Sequence, residues 1–465
     1  MFSAVLVALI GASDPQIDIR PRTPGTAQAP AARPLLPQDE DWSFAGEEVW
    51  AFKYENLTSD GTITASIGID ARLHAEYFDN EAFGALPGTD ESVFLLATPW
   101  ASITFNDRVR FYGALKHASV QGRNGPKPGA ISDTLDLHQG FVEVALGNAF
   151  GQSHKDLLIR AGRQELHYGR GRVLAVRGGR FIRDDYDGGL IRYRKGDWVT
   201  DMFGVVAVED GRDAFDNRTD DSLNLSGIYS SGVVRGTNID LYGFRWEREE
   251  ALSSPILSDV VRHYAGARLY GAAKDGWSWE LEGTVLFGTV DATDEDIRGF
   301  QLAGRVAKSL PDLPGSPTPT LEFLYSTGDD DPTDGKIDTF LVPAASGLVY
   351  EDVTQPLGPG NLAWLKASAP VQIGNRLSMT PFVHAFWRVE REDALYTLFN
   401  TQLLPADTGD SDFVGAEIGA TARLRLTDRL SMIAYGGYFA SGGVFNGTGR
   451  NATGSSGMLG FSYRY

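Results

Sequence analysis

Basic side chains on alternate residues of short segments are the groups in this chain best suited to chemistry, and that chemistry is the binding of anions. Successive side chains of a strand point to opposite faces, so each cation can be sorted against its apolar neighbours. Arg72 opposes Leu73, and Arg108, Arg110 and Lys116 oppose Val109, Phe111 and Leu115. Arg192 and Arg194 oppose Ile191 and Tyr193, while Arg245 stands between Phe244 and Trp246. Arg268, Arg305, Arg388, Arg423 and Arg425 follow the same rule beside Leu269, Val306, Trp387, Ala422 and Leu424. A guanidinium offers a planar fork of donors that fits a carboxylate with two parallel bonds. A row of such forks binds acidic groups. It does not break covalent bonds.

Other motifs fall short of a reactive site. Asp330, Asp334 and Gly335 mimic a calcium loop, but Pro332 takes a ligand position and no Glu closes the run. Gly169-Arg170-Gly171 lacks the Gly-Lys-Ser/Thr sequel of a phosphate loop. The seven histidines form no His-Glu-x-x-His pair, and no Gly-x-Ser-x-Gly elbow accompanies them. His74, His167 and His384 read as polar lining. With no cysteine, disulfides, thiolate metal sites and cysteine nucleophiles are excluded. No cofactor, no metal and no enzymatic activity are expected, and a hydrolase is the weakest of the functional readings.

The elements that must hold these cations are strands. From about Ile63 onward, short segments alternate apolar and polar residues, separated by Gly, Asp, Asn and Pro clusters. Ile67, Ile69, Ala71, Leu73, Ala75 and Tyr77 share one face, against Ser66, Gly68, Asp70, Arg72, His74 and Glu76 on the other. Trp277, Trp279, Leu281, Val285 and Phe287 share another, as do Met379, Val383, Ala385 and Trp387. These faces run for roughly ten residues, the length at which a tilted strand crosses a bilayer. Aromatics at segment ends (Tyr77, Trp100, Tyr168, Trp198, Trp277 and Trp387) suit the lipid–water interface. The chain closes on Phe461, Tyr463 and Tyr465. The expected fold is a single-domain, all-β transmembrane antiparallel β-barrel of about 18 strands over residues 39–465. Connections 120–134, 210–221, 329–360 and 400–411 suit extracellular loops; Asn106-Asp107 and Thr427-Asp428 suit periplasmic turns.

Ahead of the barrel, Met1–Ala12 is apolar but too short to span a membrane as a helix, and residues 1–13 read as a signal peptide. Residues 14–38, with Pro15, Pro21, Pro24, Pro30, Pro34 and Pro37, read as an extended linker with nothing to pack. The formal net charge of −19 opposes nucleic-acid binding. It is compatible with a basic lumen because acidic residues such as Asp216, Asp220, Asp291, Asp329, Asp330 and Asp331 collect in the loops. A lipid-facing Arg or Lys at mid-bilayer costs ~2–4 kcal/mol, so the cations should turn inward. Two readings then stay open. The arginines form an anion-selective pore, or they pair with Glu76, Glu143, Glu165, Glu280 and Glu282 to fill a wide barrel. Arg160 is the exception, since it falls on the apolar face of its segment and calls for a rim position or a bulge.

Several blocks in order give the chain a resemblance to the alginate-export family of outer-membrane porins. They are Asp39–Phe44 (DEDWSF), LDLHQGFVEV at 135–144, AGRQELHYGRGRVLAVRGG at 161–179 and DYDGGLIRY at 185–193. LEGTVLFG at 281–288, STGDDDPTDGKIDTF at 326–340, GPGNLAWL at 358–365 and FWR at 386–388 complete the series. The resemblance implies a monomeric barrel in the bacterial outer membrane, contacting lipopolysaccharide and periplasmic export or polymer-modifying proteins. It implies passage of alginate or a related anionic polysaccharide through an electropositive constriction, with uptake of small acidic sugars as the alternative. It carries the pore role onto Arg163, with Glu165 beside it, and onto the Tyr168–Arg180 stretch. By parity Arg163, Glu165 and His167 share the lumenal face, and Asp187 would hold a lumenal arginine. Two positions depart from the family pattern: Tyr186 stands before Asp187-Gly188 where Phe is usual, and the last residue is Tyr465 rather than Phe.

Overall fold

The alternation closes on itself. A computed structural model describes residues 35–40, 52–125, 127, 129–146, 156–177, 181–253, 256–344, 357–450 and 452–465, without the side chains of 250–253 and 256–257. Eighteen antiparallel strands form one ring. They are β1 (Ile63–Glu81), β2 (Leu86–Phe105), β3 (Val109–Gln121), β4 (Asp133–Ala145), β5 (Leu157–Gln164) and β6 (Tyr186–Lys195). Then come β7 (Trp198–Glu209), β8 (Arg218–Val234), β9 (Thr237–Ser253), β10 (Ile256–Ala272), β11 (Trp277–Val290) and β12 (Glu295–Lys308). The last six are β13 (Thr320–Ser326), β14 (Leu362–Ser368), β15 (Leu377–Arg388), β16 (Phe413–Arg425), β17 (Leu430–Ser441) and β18 (Gly454–Arg464). Each strand pairs with its sequence neighbour, and β18 returns to β1 with Arg464 opposite Asp70 and Ser455 opposite Asp79. Closure pairs the edges that an open sheet would leave exposed to lipid.

Outward side chains make the membrane belt. Ile67, Leu73 and Tyr77 on β1 are exposed, as are Trp277, Trp279, Leu281, Val285 and Phe287 on β11 and Met379, Val383 and Trp387 on β15. From Trp277 to Phe287 a strand rising ~3.4 Å per residue at a tilt of ~40° climbs about 26 Å, the height of an apolar band. The short turns, such as Asn106–Arg108 and Arg235–Gly236, lie at the end shared with the C-terminus, and the longer connections 327–361 and 389–412 lie at the other. By that asymmetry the first end is periplasmic and the second extracellular.

Not every aromatic faces lipid. Trp100 and Tyr168, expected at the interface, are buried inside, where Trp100 stacks on Tyr112 and Tyr168 on Tyr229. Phe244 and Trp246 also turn inward, with Tyr242. These rings fill space between the wall and chain folded into the lumen, so the buried core of this protein sits inside the ring. The predicted signal and most of the predicted linker lie outside the described residues. The linker's end does pack: Leu36 is 3 % exposed and Gln38 1 %.

Candidate functional site

The lumenal wall is built from charged pairs. Arg110 on β3 meets Glu143 on β4 at 3.0 Å, and Arg192 on β6 meets Asp201 on β7 through Nε and Nη2 at 2.7 and 2.8 Å. Arg268 on β10 donates to Asp240 at 3.2 Å and to Glu280 at 3.1 Å. Arg72 donates to Asp70 at 3.3 Å, Arg305 stands 3.7 Å from Glu322, and Arg388 donates to Asp412 at 3.2 Å. Lys116 is fully buried between Asp185 at 3.4 Å and Asp210 at 2.5 Å. Neighbouring strands bring these partners opposite one another: Arg110 faces Glu143, Arg192 faces Asp201, Arg268 faces Asp240 and Arg305 faces Glu322 across the ladders. A charge in such a wall needs a partner or water, because an isolated buried ion costs several kcal/mol.

Four inward arginines differ. Arg262, within β10, lies over the Trp246 ring at 4.8 Å and meets no carboxylate among the described residues. The other three, Arg194, Arg423 and Arg425, stand at the periplasmic ends of β6 and β16 and meet no carboxylate among the described residues; Arg425 donates to the Asn375 carbonyl at 3.2 Å. Arg423 and Arg425 are open to solvent at the mouth.

Between β5 and β6 the chain leaves the wall and folds into the lumen. Here lies the 161–179 block. Glu165, 1 % exposed, accepts from His138 Nε2 at 2.7 Å and stands 3.7 Å from Arg183. Further along, Arg172 bonds Glu280 at 2.5 Å and also Glu282, while Arg170 reaches Glu322 at 3.1 Å. Tyr168 donates to Asp201 at 3.2 Å. Val173 and Ala175 exchange backbone hydrogen bonds with Ala344 of the long extracellular loop. This inward segment thus spans from β4 to β13 and ties the lumenal wall to the outer loops.

A second segment enters from the periplasmic mouth. Arg110 Nη1 donates to the Gln38 carbonyl at 2.8 Å, Asp39 accepts from Arg160 at 3.3 Å with Arg192 at 3.7 Å, and Glu40 lies 2.9 Å from Arg464. Pro37, Tyr112, His138, Glu165, Ile182 and Arg183 enclose a remaining cavity of about 10 Å³, room for about one water.

Three cations expected in the pore lie elsewhere. Arg108 sits in the exposed periplasmic turn between β2 and β3, one residue short of the strand. Arg245 points outward and bonds Glu247 two residues on, because Phe244 and Trp246, taken as lipid-facing, are the inward pair. Arg163 is also outward. It grips Asp187 on the outer face near the extracellular rim, beside outward-facing Leu137, whose carbonyl accepts its Nη1 at 3.3 Å. The expected parity of Arg163 with Glu165 and His167 fails because the wall ends at Gln164 and the chain turns inward after it. The same register puts Arg160 in the lumen, 2 % exposed and bound to Glu143 at 2.8 Å, not on the apolar face. Leu157, Leu158 and Ile159 are apolar on both faces and hid the phase.

The sequence profile of the alginate export family matches residues 63–458. The chain belongs to that family. No curated protein sequence matches it. Among solved structures it is similar to OccAB1 of Acinetobacter baumannii, at 13% identity and TM-score 0.59, covering 89% of this chain and 98% of that one. A BenF-like porin from Pseudomonas fluorescens Pf-5 is similar at 11% identity and TM-score 0.59, covering 86% and 98%. OpdK of Pseudomonas aeruginosa, solved with vanillate, gives 11% and 0.56 over 86% and 98%. At these identities the likeness establishes the porin fold. Family and fold together make the protein a channel of the bacterial outer membrane.

Within this member of the alginate export family the blocks have structural work. Asn361 of the 358–365 block is fully buried and clamps the extracellular loops: its amide donates to the Glu390 and Ala394 carbonyls at 2.8 and 3.0 Å, and its Oδ1 accepts from the Val389 and Glu390 amides. Sequence reasoning missed Arg160, Arg183 and Arg464 as lumenal groups, and reached Arg170 and Arg172 only within the 168–180 stretch that the resemblance marked. The sequence signal was the density of Arg in the 161–179 block and at 183; nothing local marked Arg464. Among the described residues no three His, Asp or Glu converge as a metal site.

Proposed function

We propose that the protein passively exports an anionic exopolysaccharide, alginate or a related uronic-acid polymer, from periplasm to exterior through its basic lumen. The observation that carries this reading is the polarity of charge along the barrel. Three inward arginines without a carboxylate partner among the described residues, Arg194, Arg423 and Arg425, stand at the periplasmic mouth. Arg110, Arg192, Arg268 and Arg305 are compensated by Glu143, Asp201, Asp240 and Glu322, Arg262 lies against the Trp246 ring, and the outer loops carry Asp329, Asp330 and Asp393. An uncompensated guanidinium at a low-dielectric mouth concentrates polyanions. Paired arginines further in can exchange partners without holding the cargo tightly. Acidic loops then disfavour return from outside.

Uptake of small acidic sugars is the second reading, supported by the seating of Leu36–Glu40 among the lumenal arginines. The two separate in planar bilayers. Export predicts an anion-selective reversal potential, with current block by oligouronates stronger from the periplasmic side. Neutralising Arg194, Arg423 and Arg425 together to Gln should abolish that asymmetry. A cation-selective parent channel would sink both readings, and permeation of glucuronate without polymer block would favour uptake.

A further inference from the structure

Leu36–Glu40 shows the chain's own carboxylates seated where an acidic cargo would bind. We propose that this segment is an exchangeable stopper: Asp39 and Glu40 occupy two carboxylate seats of the conduit, and a uronate polymer opens the pore by taking them. This rests on the reading that the cargo is an acidic polymer.

Asp39 lies 3.3 Å from Arg160 and 3.7 Å from Arg192, and Glu40 lies 2.9 Å from Arg464 and 4.0 Å from Lys53. The segment is otherwise held by polar contacts that a sugar acid could reproduce. Arg110 donates to the Gln38 carbonyl at 2.8 Å, and the Gln139 amide donates to Gln38 Oε1 at 3.1 Å. Leu36 and Pro37 supply the apolar contact.

Release of Asp39 costs little at Arg160 and Arg192. When Asp39 leaves, Arg160 retains Glu143 at 2.8 Å and Arg192 retains Asp201 at 2.7 Å. No guanidinium of that seat is stranded, so the large penalty for an orphaned buried charge does not arise. Asp39 and Glu40 also open the DEDWSF block, which lies outside the matched family region at 63–458.

The test uses the full chain in planar bilayers, with a tetrauronate as probe and a neutral tetrasaccharide as control. D39N/E40Q should raise single-channel conductance and let the tetrauronate block at about tenfold lower concentration, the change for one lost competing contact. A tether, Q38C/Q139C in a chain without other cysteines and bridged by a reducible bis-methanethiosulfonate linker, should hold conductance low when oxidised and release it on reduction. Heat-modifiable gel mobility verifies folding of both. Parent conductance and parent blocking concentration in folded D39N/E40Q would overturn the stopper, as would an oxidised tether that conducts like its reduced form. If D39N/E40Q opens the channel but no uronate blocks it, the stopper stands and the acidic-cargo reading falls.

Discussion

Arg163 and Asp187 form a two-pronged pair, Nε to Oδ1 and Nη2 to Oδ2 each at 2.9 Å, on the outer face of the barrel between β5 and β6. Thr219 adds a hydrogen bond to Asp187 at 2.7 Å from β8. The pair therefore joins strands at the extracellular rim and leaves the conduit untouched.

Arg163→Gln is expected to leave ion selectivity unchanged while lowering stability by roughly 1–3 kcal/mol, the range for a charge-assisted bidentate bond. Urea unfolding and reversal potentials measured on the same preparation check both halves. A shifted reversal potential would place Arg163 in the conduit after all.

Asn361→Ala removes four hydrogen bonds from a buried site that connects β14 to the 389–412 loop. The stranded Glu390 and Ala394 groups should cost roughly 2–4 kcal/mol. Faster protease cleavage within 389–412, with the barrel core intact, is the expected result.

The extracellular loops should be more stable in acid than at neutrality. Burial, with Asp393, Asp338 and Asp334 nearby, pushes Asp329 up to about 6. A carboxyl with a folded value above its unfolded ~4 binds its proton more tightly when folded. Its folded form then gains stability as pH falls from about 6 towards about 4 and loses it as pH rises again. Proteolysis of the loops should be slower at about pH 5 than at about pH 7, and Asp329→Asn should flatten the difference.

Gly188→Ala is expected to impair assembly. Its φ is +155°, and a Cβ there would lie 2.4 Å from the Gly204 carbonyl oxygen and 2.7 Å from Val205 Cα. Such overlap with backbone cannot be relieved by a rotamer and costs on the order of 1–3 kcal/mol. The folded fraction after refolding, read on a semi-native gel, should drop.

Fold class was legible because it rests on a local regularity. Ile67, Leu73 and Tyr77, or Trp277, Leu281 and Phe287, mark an outer face at every second residue. The parity of Arg72, Arg110, Arg192, Arg268 and Arg305 followed from it. Where both faces are apolar, as at Leu157–Ile159, or where the inner face carries rings, as at Tyr242, Phe244 and Trp246, the same regularity does not say which side is out. Arg163 and Arg245 were misplaced for that reason.

The chain's order of residues alone determined a closed ring of lipid-crossing strands, since period-two greasiness of this length has no other stable home in a bilayer. Tertiary structure decided which arginines are spoken for and which remain open at the mouth. A guanidinium's partner comes from a distant residue: Glu280 for Arg172, Glu322 for Arg170, Asp39 for Arg160. Such pairings depend on how two segments fold back through the lumen, and no local pattern of side chains encodes that path.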